Sequence, residues 1–425
     1  MFSHRTSWNL TPNAFTRAVD AYRRGGKPLL DLTASNPTTV GLRYDEQAIL
    51  AALADPAALR YQPEPKGLLS ARKAVVEYYR ERLNPRSPRG GQSPNHSITQ
   101  SLNHPIARSP DAFVGPDAIT LTVSTSEAYS FVFRLLCDPG DEVLVPAPSY
   151  PLFEFLAHLQ DVRLAPYSLF YDHGWHIDFH SLESRLTSRS RAIILVHPNN
   201  PTGSLVKAVE ADQLSVLCQR HTLALIVDEV FLDYALPSDH PITGSPDHPM
   251  SFAFNPDALT FTLSGISKIS GLPQMKLAWI VTSGPQEQVG HALSRLEIIA
   301  DTYLSMNAPI QLAAPVLLAQ RHQVCEQLTA RIKANLAELD RQLAQQQPCS
   351  RLQVEGGWYV ILRVPAIRTD EQLAIELLEN TGVLVQPGYF YDFRQDGYLV
   401  LSLITPEEEF AQGMRKVLGF VIGNL

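Results

Sequence analysis

The stretch Leu263-Ser264-Gly265-Ile266-Ser267-Lys268-Ile269-Ser270-Gly271-Leu272-Pro273-Gln274-Met275-Lys276 continues a β-type apolar run, Leu259-Thr260-Phe261-Thr262-Leu263. The strand is expected to end near Ser264, which puts Lys268 on a turn rimmed by hydroxyls and glycines. A lysine partly withdrawn from water there loses proton affinity, and its amine becomes available for a Schiff base. Taken alone, a lysine beside Gly and Ser is just as well a solvated surface residue. Its meaning comes from the chain around it.

Upstream, strand and helix patterns alternate. Ile119–Val123, Glu142–Pro146, Leu164–Leu169, Ala192–His197 and Ala224–Val227 read as strands. Helices are expected from Ser124 through Leu136, from Pro151 through Leu159, around Leu182–Leu186 and over Ala208–His221. This spacing predicts an α/β fold, with a large, mostly parallel sheet covered by helices on both faces. Downstream, Leu293–Ala319 and Gln323–Gln346 read as long helices, the first broken near Asn307-Ala308-Pro309. The strand-like runs Leu352–Val354, Tyr359–Val364, Val383–Val385 and Tyr398–Leu403 then suggest a smaller α+β domain. The expected division is 1–55 as an N-terminal arm and part of the small domain, 56–300 as the large domain and 301–425 as the small one. Residues 84–112 lack aromatics and periodicity and read as a flexible insertion.

The chain has 425 residues, 45% of them hydrophobic and 18% charged, with a net charge of −8. No long basic run supports a nucleic-acid partner, and no apolar run is long enough to span a bilayer. Cys137, Cys218, Cys325 and Cys349 are scattered without metal-ligand spacing, which fits reduced structural thiols and a cytoplasmic location, with no metal expected.

In such sheets, ligands sit at the carboxyl ends of the strands. Ser124, Asn200, Asp228 and Lys268 all follow strands. Ser124-Thr125-Ser126 opens a helix, where free N–H groups and the helix dipole favour a phosphate; Ser264, Ser267 and Lys276 are placed to close the same site. Asp228, ending a Val/Ile-rich strand, caps a turn or pairs with a protonated pyridine nitrogen. Asn200 offers an amide to a ring oxygen, and Tyr150 a ring for stacking. Lysine, pyridine partner, phosphate cradle and stacking ring together describe a site for pyridoxal 5'-phosphate.

Asn200-Pro201-Thr202-Gly203, Asp228-Glu229-Val230 and Ser267-Lys268 with Gly271-Leu272-Pro273 resemble, in order and spacing, the motifs of fold-type I, class I/II aminotransferases. The likeness runs from about residue 29 to the C-terminus, apart from the 84–112 insertion. It implies the fold of pyridoxal phosphate-dependent transferases. It also implies that Lys268 is the Schiff-base lysine, Asp228 the ring-nitrogen partner and Asn200 the contact to the phenolic oxygen. By the same likeness Tyr150 stacks on the ring, while Thr125 and Ser126 bind phosphate. Tyr61 matches a tyrosine that reaches the neighbouring subunit's phosphate, so a homodimer with shared sites follows.

Four positions depart from that pattern. Phe231 stands where a tyrosine usually contacts the cofactor's O3′, Lys276 where an arginine binds phosphate, and Gly265 where a serine does so, with Ser264 next door as a stand-in. Val400 replaces the arginine that grips a substrate's α-carboxylate. Losing the partner of a desolvated carboxylate costs on the order of 3–5 kcal/mol, roughly two to three decades in affinity. Either another cation supplies the grip, Arg394 being the nearest candidate, or the substrate lacks a conventional α-carboxylate. Asn36 and Trp358 are further candidates for the substrate pocket. The expected activity is amino transfer from an amino acid or amine to a 2-oxo acid. A lyase or decarboxylase of the same fold is the alternative that Val400 leaves open.

Overall fold

The structure, a computed structural model, describes residues 1–83, 114–236, 249–304, 306–346 and 348–424. The expected insertion at 84–112 lies outside these residues. The strands are β1 (Leu30–Asp31), β2 (Ile119–Thr122), β3 (Glu142–Ala147), β4 (Arg163–Tyr171), β5 (Trp175–Ile177), β6 (Ser190–Val196) and β7 (Ala224–Asp228). They continue with β8 (Thr260–Gly265), β9 (Ala278–Ser283), β10 (Ser350–Arg351), β11 (Tyr359–Arg363), β12 (Val383–Leu384), β13 (Gln386–Pro387) and β14 (Tyr398–Ser402).

The large sheet has eight strands in the order β2-β9-β8-β7-β6-β3-β4-β5. Strands β4, β3, β6, β7 and β8 run parallel; β9 is antiparallel to both its neighbours, and β5 to β4. Successive side chains of its central strands enter different cores, as a sheet covered on both faces requires. Ile193, Leu195, Leu225 and Val227 join the core shared with helices Leu69–Leu83, Ala208–His221 and Ala308–Ala319. Ile194, Ile226 and Phe261 join the opposite core, formed with helices Thr125–Leu136 and Gln286–Tyr303. The α/β expectation holds, although β5 and β9 were not anticipated.

The C-terminal part builds a four-stranded antiparallel sheet, β10-β11-β14-β13. Helices Arg321–Leu343, Asp370–Thr381 and Glu407–Gly423 cover it, and its core contains Leu328, Leu377, Phe410 and Leu401. Strand β1 pairs in parallel with β12, and Phe15 and Val19 of helix Ala14–Arg24 enter the same core, so the N-terminal segment packs with the C-terminal one. Two local expectations shift: the helix expected at Leu182–Leu186 is Phe179–Ser184, and the strand expected at Leu352–Val354 is Ser350–Arg351. No helix of the described residues is long and apolar enough to cross a membrane.

Candidate active site

Strands β7 and β8 lie side by side with Asp228 opposite Leu263, so their carboxyl ends bring Asp228 and the segment carrying Lys268 to one edge of the sheet. Lys268 does not sit on an open turn. It lies in a single helical turn, Ile266–Ile269, whose two isoleucines are fully buried three residues apart and wind the chain onto the core. Burial pulls the Lys268 ammonium down to about 8, against the opposing charge of Asp228. Burial also pushes the Asp228 carboxyl up to about 6. Asp228 Oδ1 accepts the Val230 N–H at 3.1 Å, and Oδ2 accepts the Tyr129 hydroxyl at 3.2 Å. The Lys268 ammonium lies 4.8 Å from the ring centre of Trp358 and 5.6 Å from that of Phe231.

The backbone under Lys268 is held from several directions. Tyr234 donates its hydroxyl to the Lys268 carbonyl at 2.7 Å, and Cys325 its thiol to the Ile269 carbonyl at 3.2 Å. Tyr44 donates to the carbonyl of Gly271 at 2.8 Å. Gly271 has φ +61°, and a Cβ there would meet the Tyr44 hydroxyl oxygen at 2.9 Å, so both conformation and space call for glycine.

At the start of helix Thr125–Leu136, the Ser124 hydroxyl accepts the Glu127 N–H at 3.1 Å, and Glu127 accepts the Val123 N–H at 2.8 Å. The N–H groups of Thr125 and Ser126 find no acceptor among the described residues. They are donors left for an anion. Asn199 ties its loop together through Pro148, Thr202 and Ser149, while the neighbouring Asn200 Oδ1 is buried without a partner among the described residues. Tyr150 lies beside these groups, with its ring edge-on to Phe153 at 6.4 Å. Burial raises its phenol, and the Asp228 charge adds to the shift. An anion cradle, an orphaned amide, a half-buried carboxylate and a deprotonatable lysine fit pyridoxal phosphate. Ser264, by contrast, is fully enclosed in β8.

The other expected residues divide. Trp358 is fully buried against Lys268. Asn36 shares a surface pocket with Ser35, Thr38, Pro273 and Gln274, but its side-chain oxygen already caps Pro37–Thr39 by accepting from Thr38. Ser267 sits in the helical turn with Lys268, and Lys276 is exposed at the end of the following turn. Tyr61 is 81% exposed and is joined to none of the others by a hydrogen bond or ring contact among the described residues. Arg394 is exposed, without an ion pair among the described residues. Val400 is fully buried in β14, opposite Ile361 of β11, on the same sheet face as Tyr359 and Ser402. Sequence reading missed Tyr129 and Tyr234. Both look like ordinary apolar-face residues, and nothing in the chain marks their long-range partners.

A family model described as aminotransferase class I and II matches residues 27–413. The chain belongs to this family. This aminotransferase is 27% identical over 407 residues to an alanine aminotransferase of Mycobacterium tuberculosis, covering 93% of this chain and 86% of that protein. It is 23% identical over 404 residues to the glutamate-pyruvate aminotransferase AlaA of Escherichia coli, with 94% and 91% covered. The fold is shared with an alanine aminotransferase from Pyrococcus furiosus at a TM-score of 0.82 and 21% identity, over 100% of both chains. It is therefore an enzyme that transfers amino groups, and these relatives lend no support to the lyase or decarboxylase alternative. Class I and II aminotransferases work with pyridoxal phosphate, a group that the residues above fit.

Proposed function

We propose that this aminotransferase holds pyridoxal phosphate on Lys268 and moves an amino group from an amino acid or amine to a 2-oxo acid. The observation that carries the reading is the pairing of Lys268, depressed to about 8, with the half-buried Asp228 beside donors and acceptors that have no partner among the described residues. When bound, the cofactor takes up the electron pair left as the substrate's Cα–H bond breaks. Asp228 holds the ring nitrogen, Asn200 faces the phenolic oxygen, and Tyr150 lies against the ring. Thr125 and Ser126, with Ser267 and Lys276, take the phosphate. Lys268 carries the cofactor and, once released by the incoming substrate amine, moves the α-proton. The exposed Tyr61 is the reach into a second copy's site, so a homodimer is part of the proposal. Four free cysteines favour the cytoplasm.

Val400 leaves the substrate's carboxylate without a guanidinium at that position. An anaerobic absorbance titration of the cofactor-loaded enzyme, with amino acids and with carboxylate-free amines in separate runs, tests the reading. Formation of pyridoxamine phosphate with amino acids establishes transfer and requires another cation, with Arg394 tested first. Formation only with amines means that Val400 marks a change of substrate class. No pyridoxamine phosphate with either set overturns amino transfer. Lys268→Ala is expected to lose about 10⁴-fold or more in turnover and to take up no borohydride-fixed cofactor.

A further inference from the structure

Tyr129 is the fifth residue of the helix whose first turn offers the anion cradle, and it is 2% exposed. Its ring is held by Phe153, edge-on at 5.4 Å, and by Phe133 at 6.0 Å; Phe153 in turn touches Tyr150. From this apolar setting its hydroxyl reaches Asp228 Oδ2 at 3.2 Å. One helix therefore presents both the cradle and a donor to the carboxylate. Burial opposes charge on Asp228, and the two hydrogen bonds it accepts, from Val230 and Tyr129, oppose that effect. The phenol of Tyr129 is itself raised well above its ordinary range, first by burial and then by the Asp228 charge, so the proton between them stays on tyrosine.

We propose that Tyr129 is a positioning residue for the cofactor's ring nitrogen, acting through Asp228: its O–H keeps the carboxylate anionic and aimed, so that the proton rests on the ring rather than on the acid. The inference rests on the reading of Asp228 given above. Removing the donor makes the carboxylate a stronger base, shifts the shared proton toward it and weakens the ring as an electron sink.

The test is Tyr129→Phe, which keeps the ring packing and removes only the hydroxyl. Tyr167→Phe serves as control, since it deletes another buried phenol hydrogen bond, to the Ile194 carbonyl at 2.9 Å, away from the site. Holoenzymes loaded with cofactor labelled by ¹⁵N in the ring are compared by NMR and by kinetics. Tyr129→Phe is expected to move the ring-nitrogen resonance toward the unprotonated position and to lower kcat about tenfold with little change in KM. Tyr167→Phe is expected to change neither. A Tyr129→Phe enzyme with wild-type resonance and kcat, losing only thermal stability as the control does, would make Tyr129 a packing residue and end the proposal. If borohydride fixes no cofactor on Lys268 in the wild-type protein, the reading of the whole site fails first, and the inference falls with it.

Discussion

At the strand ends of the large sheet, polar groups are kept buried or idle: Asn200 Oδ1 and the first N–H groups of the helix at Thr125 have no partner among the described residues. Across from them, the small sheet shows the reverse. Val400 and its cross-strand neighbour Ile361 meet on one face as apolar side chains at 1% exposure or less. An unsatisfied buried polar group is costly unless a ligand supplies its partner, so the first region is suited to holding one. The second is shaped by its own packing. This is why the motif residues gather at the large sheet, whereas the most consequential departure from the family pattern lies in the small one.

The largest expected effect tests how tightly that second region is sealed. Val400→Arg places a guanidinium in a fully buried strand position and is expected to cost on the order of 3–5 kcal/mol, measured by urea unfolding. If the variant keeps wild-type stability and gains turnover with α-amino acids, the face opens to substrate and the contrast between the regions collapses. A middle-sized effect probes the first region. At Gly265 an added Cβ would lie 2.8 Å from Ala278 Cβ and 2.9 Å from the Leu277 carbonyl. Gly265→Ser is therefore expected to lose about 1–3 kcal/mol in thermal unfolding. Equal stability with tighter cofactor binding would show that the strand has room for a serine. The smallest effect concerns Phe231, packed at 5.3 Å from Trp358. If the ring at 231 faces the bound cofactor, as the family resemblance implies, a phenol there would donate to the cofactor's O3′ and favour the deprotonated form. Phe231→Tyr should lower the pH at which the bound cofactor changes colour by about one unit. An unchanged or raised transition pH would mean that the ring at 231 does not face the cofactor.

Local signals carried much of this site. Asp228 and Lys268 were legible because each follows an apolar run of strand length, and Thr125 and Ser126 because a serine cap precedes an amphipathic helix. The parallel sheet followed from their spacing. Strand β9, Ala278–Ser283, is rich in β-formers but follows directly on the Gly- and Pro-marked turn after Lys268, which blurs its start. The bond from Tyr129 to Asp228 spans 99 positions and that from Tyr234 to Lys268 spans 34. No periodicity encodes such pairs; they arise only when the sheet is assembled. The burial of Val400 was hidden for the same reason, since a valine in a strand reads alike at an open face and a closed one.

The hydroxyl of Tyr234 on the Lys268 carbonyl has a mechanical consequence. With its main chain clamped from below, and the following loop fastened through Tyr44, Lys268 works as an arm with a fixed shoulder. In the role proposed for it, its amine would move between cofactor and substrate only by rotation about its own side-chain bonds. On that proposal the length of the side chain sets the working radius of the enzyme, and a shorter amine at this position would fall short however basic it was.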